Sequence, residues 1–395
     1  MWRGLLLTFS FWGIGAVVLR ATLIPPLVCP TVTAEAALAS ADEAALWIER
    51  AQRPDGTYLY EYQAPDDIDL GGYNIVRHAG VTMSLYQRAA ETGDLRDLPA
   101  ADRGLAWMTA SLYRRDGWAA FQGPAGGDLQ LGASALMLAA LEQRRIATSD
   151  TSHDDLMREL GRFLIVMQQP GGAFLASWRL ATAQPDPALR SKYATGEAFW
   201  ALTLLHRFFP GEGWDRPARA VARYLSLYRD EAEGFDFPPW ADQWAAYGLA
   251  EMASWPLDED NVAYARRLAE RFGFLVRVES QRRQDWWSNL VHGRQARAAG
   301  LGTWGEALDS LHHLASVDPR LAPLREKLAE RAACAAGLLA GRQVTEARAA
   351  DYGSPESVRG AWFTGGITRM DDQQHALSAL VRAAPILAAT KEERR

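Results

Sequence analysis

A chain of 395 residues that is 48% hydrophobic and 23% charged can bury a large core, and its length suggests two or three domains unless a repeat replaces them. Its formal net charge of −6, with no basic run, excludes the clustered Lys/Arg surface that bulk nucleic-acid binding requires.

The first segment differs in kind. Met1-Trp2-Arg3 precedes an uncharged run from Gly4 to Leu19, then come Arg20 and the largely apolar Ala21 to Val32. A run of this length exceeds a signal-peptide core and falls short of the ~20 residues that span a bilayer. Both readings mean export, either through a cleaved signal peptide or with residues 4–32 kept as an anchor in the cytoplasmic membrane. Ala34-Glu35-Ala36 has the small-x-small form of a cleavage site. The cysteines are Cys29 and Cys334. Removal of the leader would leave Cys334 alone, so no disulfide framework is expected and a Cys-based metal site is excluded. The expected division is a leader over residues 1–36 and one domain over 37–395.

From about Ala36 the chain repeats a unit at intervals of roughly 45 to 85 residues, a period at which repeat folds are checked first. Each unit opens with an amphipathic helix: Ala41 to Gln52, Ala100 to Tyr113, Asp154 to Gln169, Arg216 to Tyr228, Val262 to Val278 and Pro323 to Arg342. Gly- or Pro-marked loops carrying aromatics follow, among them Pro54 to Tyr60, Asp116-Gly117-Trp118, Gly234 to Trp240 and Gly360 to Phe363. A second, more uniformly apolar helix then begins near Asn74, Leu129, Thr195, Ala241, Asn289 and Asp371. A helix apolar nearly all round is a buried one. Six outer and six inner helices in alternation predict an all-α, closed double ring, an (α/α)6 toroid, behind an N-terminal hydrophobic leader.

Over about residues 38 to 390 the recurring Gly-aromatic loop between outer and inner helices resembles the six-hairpin toroid superfamily. That superfamily includes glycoside hydrolases, sugar epimerases, terpenoid cyclases, prenyltransferase subunits, lanthionine cyclases and thioester domains. The resemblance implies the fold and leaves the chemistry open. Missing residues remove several branches: no Cys lies near an inner-helix start, neither Cys adjoins a Gln, and Asp66-Asp67-Ile68-Asp69 has the wrong order for a cyclase acid. The carbohydrate-active branch and an exported group without assigned chemistry remain.

In such a ring the inner helices run parallel and their amino-terminal ends gather at one mouth, which their free N–H groups and dipoles make favourable for anions. Glycoside hydrolysis needs two carboxyl groups flanking the bond, and the pair this sequence offers is Glu197 with Asp372, with Asp242 as the substitute. Arg77 and Arg294 either hold a substrate carboxylate or neutralise those acids. His78 or His375 serves as base if the protein is instead a uronate epimerase or lyase. Asn74 and Gln373 lie at the same ends, where Asn is also an ordinary helix cap. Of the loop aromatics, the first in each loop suits a wedge between hairpins, and Tyr60, Trp178, Trp240 and Trp287 suit sugar contact. The last inner start, Met370-Asp371-Asp372-Gln373-Gln374-His375, echoes Tyr73-Asn74-Ile75-Val76-Arg77-His78, so Arg77, His78, Asp372 and His375 are expected to meet at the ring's seam.

No metal or cofactor is expected: His312 and His313 face different directions, and Asp66, Asp67 and Asp69 fall short of a calcium loop. The expectation is therefore a periplasmic or extracellular monomer acting on an acidic polysaccharide or envelope glycan, touching the membrane only through its N-terminal segment. A carboxylate-pair glycoside hydrolase is preferred. A uronate epimerase or lyase, or a non-catalytic toroid that binds glycan or peptide, is the alternative.

Overall fold

Helices alternate between two concentric rings in the computed structural model, which describes residues 2–22, 24, 26–235 and 241–393. The outer helices are α1 (Ala34–Ala51), α3 (Leu98–Thr109), α5 (Asp154–Met167), α7 (Asp215–Leu227), α9 (Glu259–Glu279) and α11 (Arg325–Arg342). The inner helices are α2 (Ile75–Thr92), α4 (Leu131–Thr148), α6 (Ala194–Phe208), α8 (Gln243–Glu251), α10 (Ala298–Val317) and α12 (Met370–Glu393). Each inner helix packs on the next, and α12 returns to α2 to close the ring.

The division follows from side-chain pattern. Along α5 only Leu156, Met157, Leu160, Gly161, Phe163, Leu164 and Met167 are buried, a single stripe at helical spacing. In α6 every residue from Ala194 to Leu205 is buried, and in α4 every one from Leu131 to Gln143. Inside the ring Trp200 stacks on Trp244 at 5.4 Å and Tyr247 leans on both, filling the axis with aromatic surface.

Close helix approach needs small residues at the contacts. A Cβ on Gly132 would fall 2.3 Å from Glu197 Oε2, and one on Gly302 would fall 2.4 Å from the backbone of His375. Two inner starts carry side-chain caps: Asn74 Oδ1 accepts from the Arg77 N–H, and Asp242 Oδ1 accepts from the Trp244 and Ala245 N–H groups. At the seam, strand Glu61–Gln63 pairs antiparallel with Ile367–Arg369, with Tyr62 opposite Thr368, so the first and last hairpins are joined by backbone bonds.

Two expectations change. The fifth inner helix begins at Ala298, nine residues beyond Asn289; the Asp285 to Val291 stretch forms a separate short helix, Trp286–Val291, capped by Asp285 and ended by Gly293 at φ 77°. The cysteines also do not stand apart, because Cys29 and Cys334 form a disulfide across a sequence separation of 305. Residues 26–33 lie as a strap over α9 and α11: the Val28 N–H donates to Ser280 O at 2.9 Å, Arg283 Nη2 donates to Pro26 O at 2.9 Å, and Pro30 rests on Gly337. Thr33 caps α1, so Ala34-Glu35-Ala36 is its first turn. Ahead of the strap runs the helix Trp2–Thr22, with Phe9, Phe11 and Trp12 exposed. Among the described residues no helix is long and apolar enough to cross a membrane.

Candidate functional site

The mouth formed by the inner-helix starts is polar, and its residues divide into a lip and an enclosed layer. Arg77, in the first turn of α2, donates from Nη1 to the Tyr60 hydroxyl and lies 3.2 Å through Nε from Asp371 Oδ2 on α12. Arg369 Nε sits 3.3 Å from the other Asp371 oxygen. Tyr193, just before α6, is exposed, and its hydroxyl is lifted above the usual phenol range by burial of its ring and by Asp242, Glu197 and Asp371, with Arg77 opposing. Asp242, Glu197, Asp371 and Arg77 thus all lie within electrostatic reach of the Tyr193 hydroxyl.

Glu197, in the first turn of α6, is 4% exposed. Burial, reinforced by the charge of Asp242, pushes its carboxyl up to about 8, so it carries its proton at neutral pH. A protonated carboxyl beside a polar mouth is equipped to act as a general acid.

Beneath the lip, three acids are spent on the fold. Asp242 is fully enclosed, paired with the buried Arg229 and capping α8. Asp372 is 1% exposed; its oxygens accept from Arg297 Nη2 at 2.5 Å, the Ala299 N–H at 3.0 Å and the Arg369 N–H at 3.0 Å. Burial raises both carboxyls while their arginines pull the other way. Glu306, on α10, holds His375 of α12 through Nδ1 at 3.0 and 3.2 Å. The His375 ring faces Trp244 with centroids 5.9 Å apart.

The expected seam cluster is not assembled. Arg77 meets Asp371, whereas Asp372 turns to Arg297 and His375 turns to Glu306. His78 points away from the mouth into the outer ring: its Nε2 lies 2.9 Å from Gly104 O and its Nδ1 2.6 Å from the Tyr73 hydroxyl. Nε2–H donating to the carbonyl and Nδ1 accepting from tyrosine fix a neutral imidazole, and burial drives its pKa down to about 4. Gln373 is likewise enclosed, donating to Thr368 Oγ1 at 2.7 Å. Trp178 is a wedge, 7% exposed and edge-on to Trp118 at 5.4 Å. Asn74 is a cap beside the mouth, and Tyr60 is half-buried within it. Trp287 and Arg294 lie outside the inner-helix starts, in the segment ahead of α10. Trp240 lies outside the described residues. Asp371 and Tyr193, outside the carboxylate pair and sugar contacts expected from the sequence, also stand at the lip; each directly precedes or opens an inner helix.

Among the described residues no group of His, Cys, Asp or Glu is arranged to hold a metal ion. No protein-family model matches the sequence, and no curated protein matches it by sequence. Solved structures do share the fold. A cellobiose 2-epimerase from Spirochaeta thermophila is 15% identical, with a TM-score of 0.60 over 90% of this chain and 96% of that one. A GH76 α-mannanase from Bacteroides thetaiotaomicron is 10% identical, with a TM-score of 0.61 over 91% and 97%. An inactive α-1,6-mannanase variant from Salegentibacter, with two consecutive aspartates changed to asparagine and α-1,6-mannotriose bound, is 13% identical, with a TM-score of 0.58 over 89% and 99%. The chain is thus an (α/α)6 toroid, as its repeat predicts.

Proposed function

We propose that this toroid is an exported carbohydrate-active enzyme whose reaction centre is the lip formed by Tyr60, Arg77, Asp371, Tyr193 and Glu197, and that it cleaves a glycosidic bond in an acidic glycan. What carries this is the placement of Glu197, buried in the first turn of α6 where burial holds its carboxyl above the usual range, beside a lip holding the Arg77–Asp371 pair. Glu197 donates its proton to the leaving oxygen as the glycosidic bond breaks, and Asp371, in place of the enclosed Asp372 and Asp242, takes a proton from the water whose oxygen bonds to the anomeric carbon. Adjacent aspartates at an inner-helix start, Asp371-Asp372, add weight, since changing two consecutive aspartates accompanies inactivity in the mannanase variant. Arg77 faces a substrate carboxylate. A disulfide is at home in an oxidising compartment, which supports export.

The test is turnover of acidic envelope polysaccharides by purified protein: Glu197→Gln and Asp371→Asn should each cut the rate by 10²- to 10⁴-fold, the range of general acid–base catalysis, and leave binding in place. Full activity in both variants would remove the proposal. The His375–Glu306 pair favours a second reading, a sugar epimerase with His375 as base, because a carboxylate orients the imidazole 3.0 Å away. Under that reading His375→Ala abolishes isomer exchange and no bond is cleaved.

A further inference from the structure

Between the fifth and sixth hairpins, outside the lip, lies an open cleft of about 710 Å³. Arg283 from the end of α9, Arg294 from the segment before α10, and Arg342 and Arg348 from the end of α11 and the loop beyond it all line it, and among its described lining residues there is no Asp or Glu. Such a concentration is unusual in a chain with net charge −6. Behind the surface Glu279 is fully enclosed and accepts from Arg342, Arg282 and the Ala296 N–H, so it offsets Arg342 from the inside. Arg283 and Arg348 each donate to backbone carbonyls and have no carboxylate partner. Arg294 is exposed and makes no hydrogen bond or ion pair with the described residues. Arg283, Arg294 and Arg348 thus share the cleft without a carboxylate partner, a repulsion that a bound anion relieves.

The cleft is lined by aromatic rings as well. Tyr352 and Phe363 stack at 6.3 Å with an interplanar angle of 27°, and both are half-buried. Asn289 and Thr364 supply neutral polar groups beside them. Guanidinium groups and stacked rings lining one cleft suit a ligand that carries both carboxylates and flat ring faces.

We infer that this cleft is a binding site for an oligosaccharide of uronic acids, separate from the lip and holding a further stretch of the same acidic chain. The identity of the ligand rests on the glycan reading above; the binding does not depend on any catalytic role of Glu197 or Arg77. The carboxylates pair with Arg294 and Arg348, and sugar rings lie over Phe363 and Tyr352.

The test is isothermal titration of the purified full chain with tetragalacturonate, its methyl-esterified counterpart, inorganic phosphate and phosphatidylglycerol vesicles. Tetragalacturonate should bind at least tenfold more tightly than the ester and weaken as salt rises. Arg294→Gln combined with Arg348→Gln should cost at least tenfold; both side chains are exposed, and circular dichroism will report that the fold persists. In an Arg77→Ala background, where the lip no longer contributes, the Arg294 and Arg348 substitutions should still cost at least tenfold, which separates a failure here from a failure at the lip. The inference is overturned if tetragalacturonate does not bind, if the Arg294/Arg348 variant binds it normally, or if phosphate or vesicles bind the cleft and the uronate does not.

Discussion

His375 Nδ1 lies 3.0 and 3.2 Å from the two carboxylate oxygens of Glu306, joining the last two inner helices inside the ring. Burial opposes the imidazolium, but the charge and hydrogen bond of Glu306, with Asp371 and Asp372 behind them, outweigh it and raise the His375 pKa. Burial raises Glu306 as well, so the pair holds its proton more tightly than the separated groups do in the unfolded chain. The His375 contribution is fully present below pH 6.5 and is lost as pH rises through its folded pKa, whereas the Glu306 contribution is complete only below pH 4.5.

From this, Glu306→Gln should lower the His375 titration midpoint read by NMR of the ring. Its stability deficit against the parent should be largest below pH 6.5 and shrink at alkaline pH. An unchanged midpoint would mean the pair is not electrostatically coupled.

For Glu197 the sign is the same and the window differs. Its folded pKa of about 8 exceeds the ordinary 4.5, so its contribution is complete below 4.5 and is lost as pH rises through about 8. Unfolding free energy should fall by about 1.4 kcal/mol per pH unit across that window on this account. Denaturant melts of Glu197→Gln at several pH values should give a shallower slope and a relative gain at pH 8.

At the lip, Arg77→Ala should weaken an acidic oligosaccharide by roughly tenfold or more, the worth of a charge-assisted hydrogen bond of about 1.5–3 kcal/mol. A neutral oligosaccharide should stay within threefold. Equal losses for both would assign Arg77 to holding Asp371, 3.2 Å away, and remove it from substrate contact.

The Cys29–Cys334 bond closes a span of 305 residues, and on chain-entropy grounds its loss should cost on the order of 3–5 kcal/mol. Guanidinium melts of Cys334→Ser, and of the parent under reductant, should show that loss. Intact mass of the protein purified from its native host should show Cys29 still present. A mature chain starting beyond it would break this expectation.

The ring was readable because its signal is repeated: stripe, aromatic loop, apolar helix, six times, with glycines where helices must touch. What could not be read was direction. Asp371 and Asp372 are neighbours in sequence, yet successive residues on a helix point about 100° apart, so one reaches Arg77 and the other Arg297. His78 looked catalytic by type and position, but Gly104 O and Tyr73 lie on the face it occupies. The fifth inner start misled because Asp285 gives a good cap to a helix that lasts only from Trp286 to Val291. The disulfide was hidden by the apolar run ahead of Cys29, which reads as something to be discarded.

That bond changes what a cut in the chain can do. Most of the ring lies between its two ends, so a protease that nicks an exposed loop such as residues 181–192 opens the polypeptide and yet releases no fragment. The two pieces remain one molecule until a reductant reaches the strap.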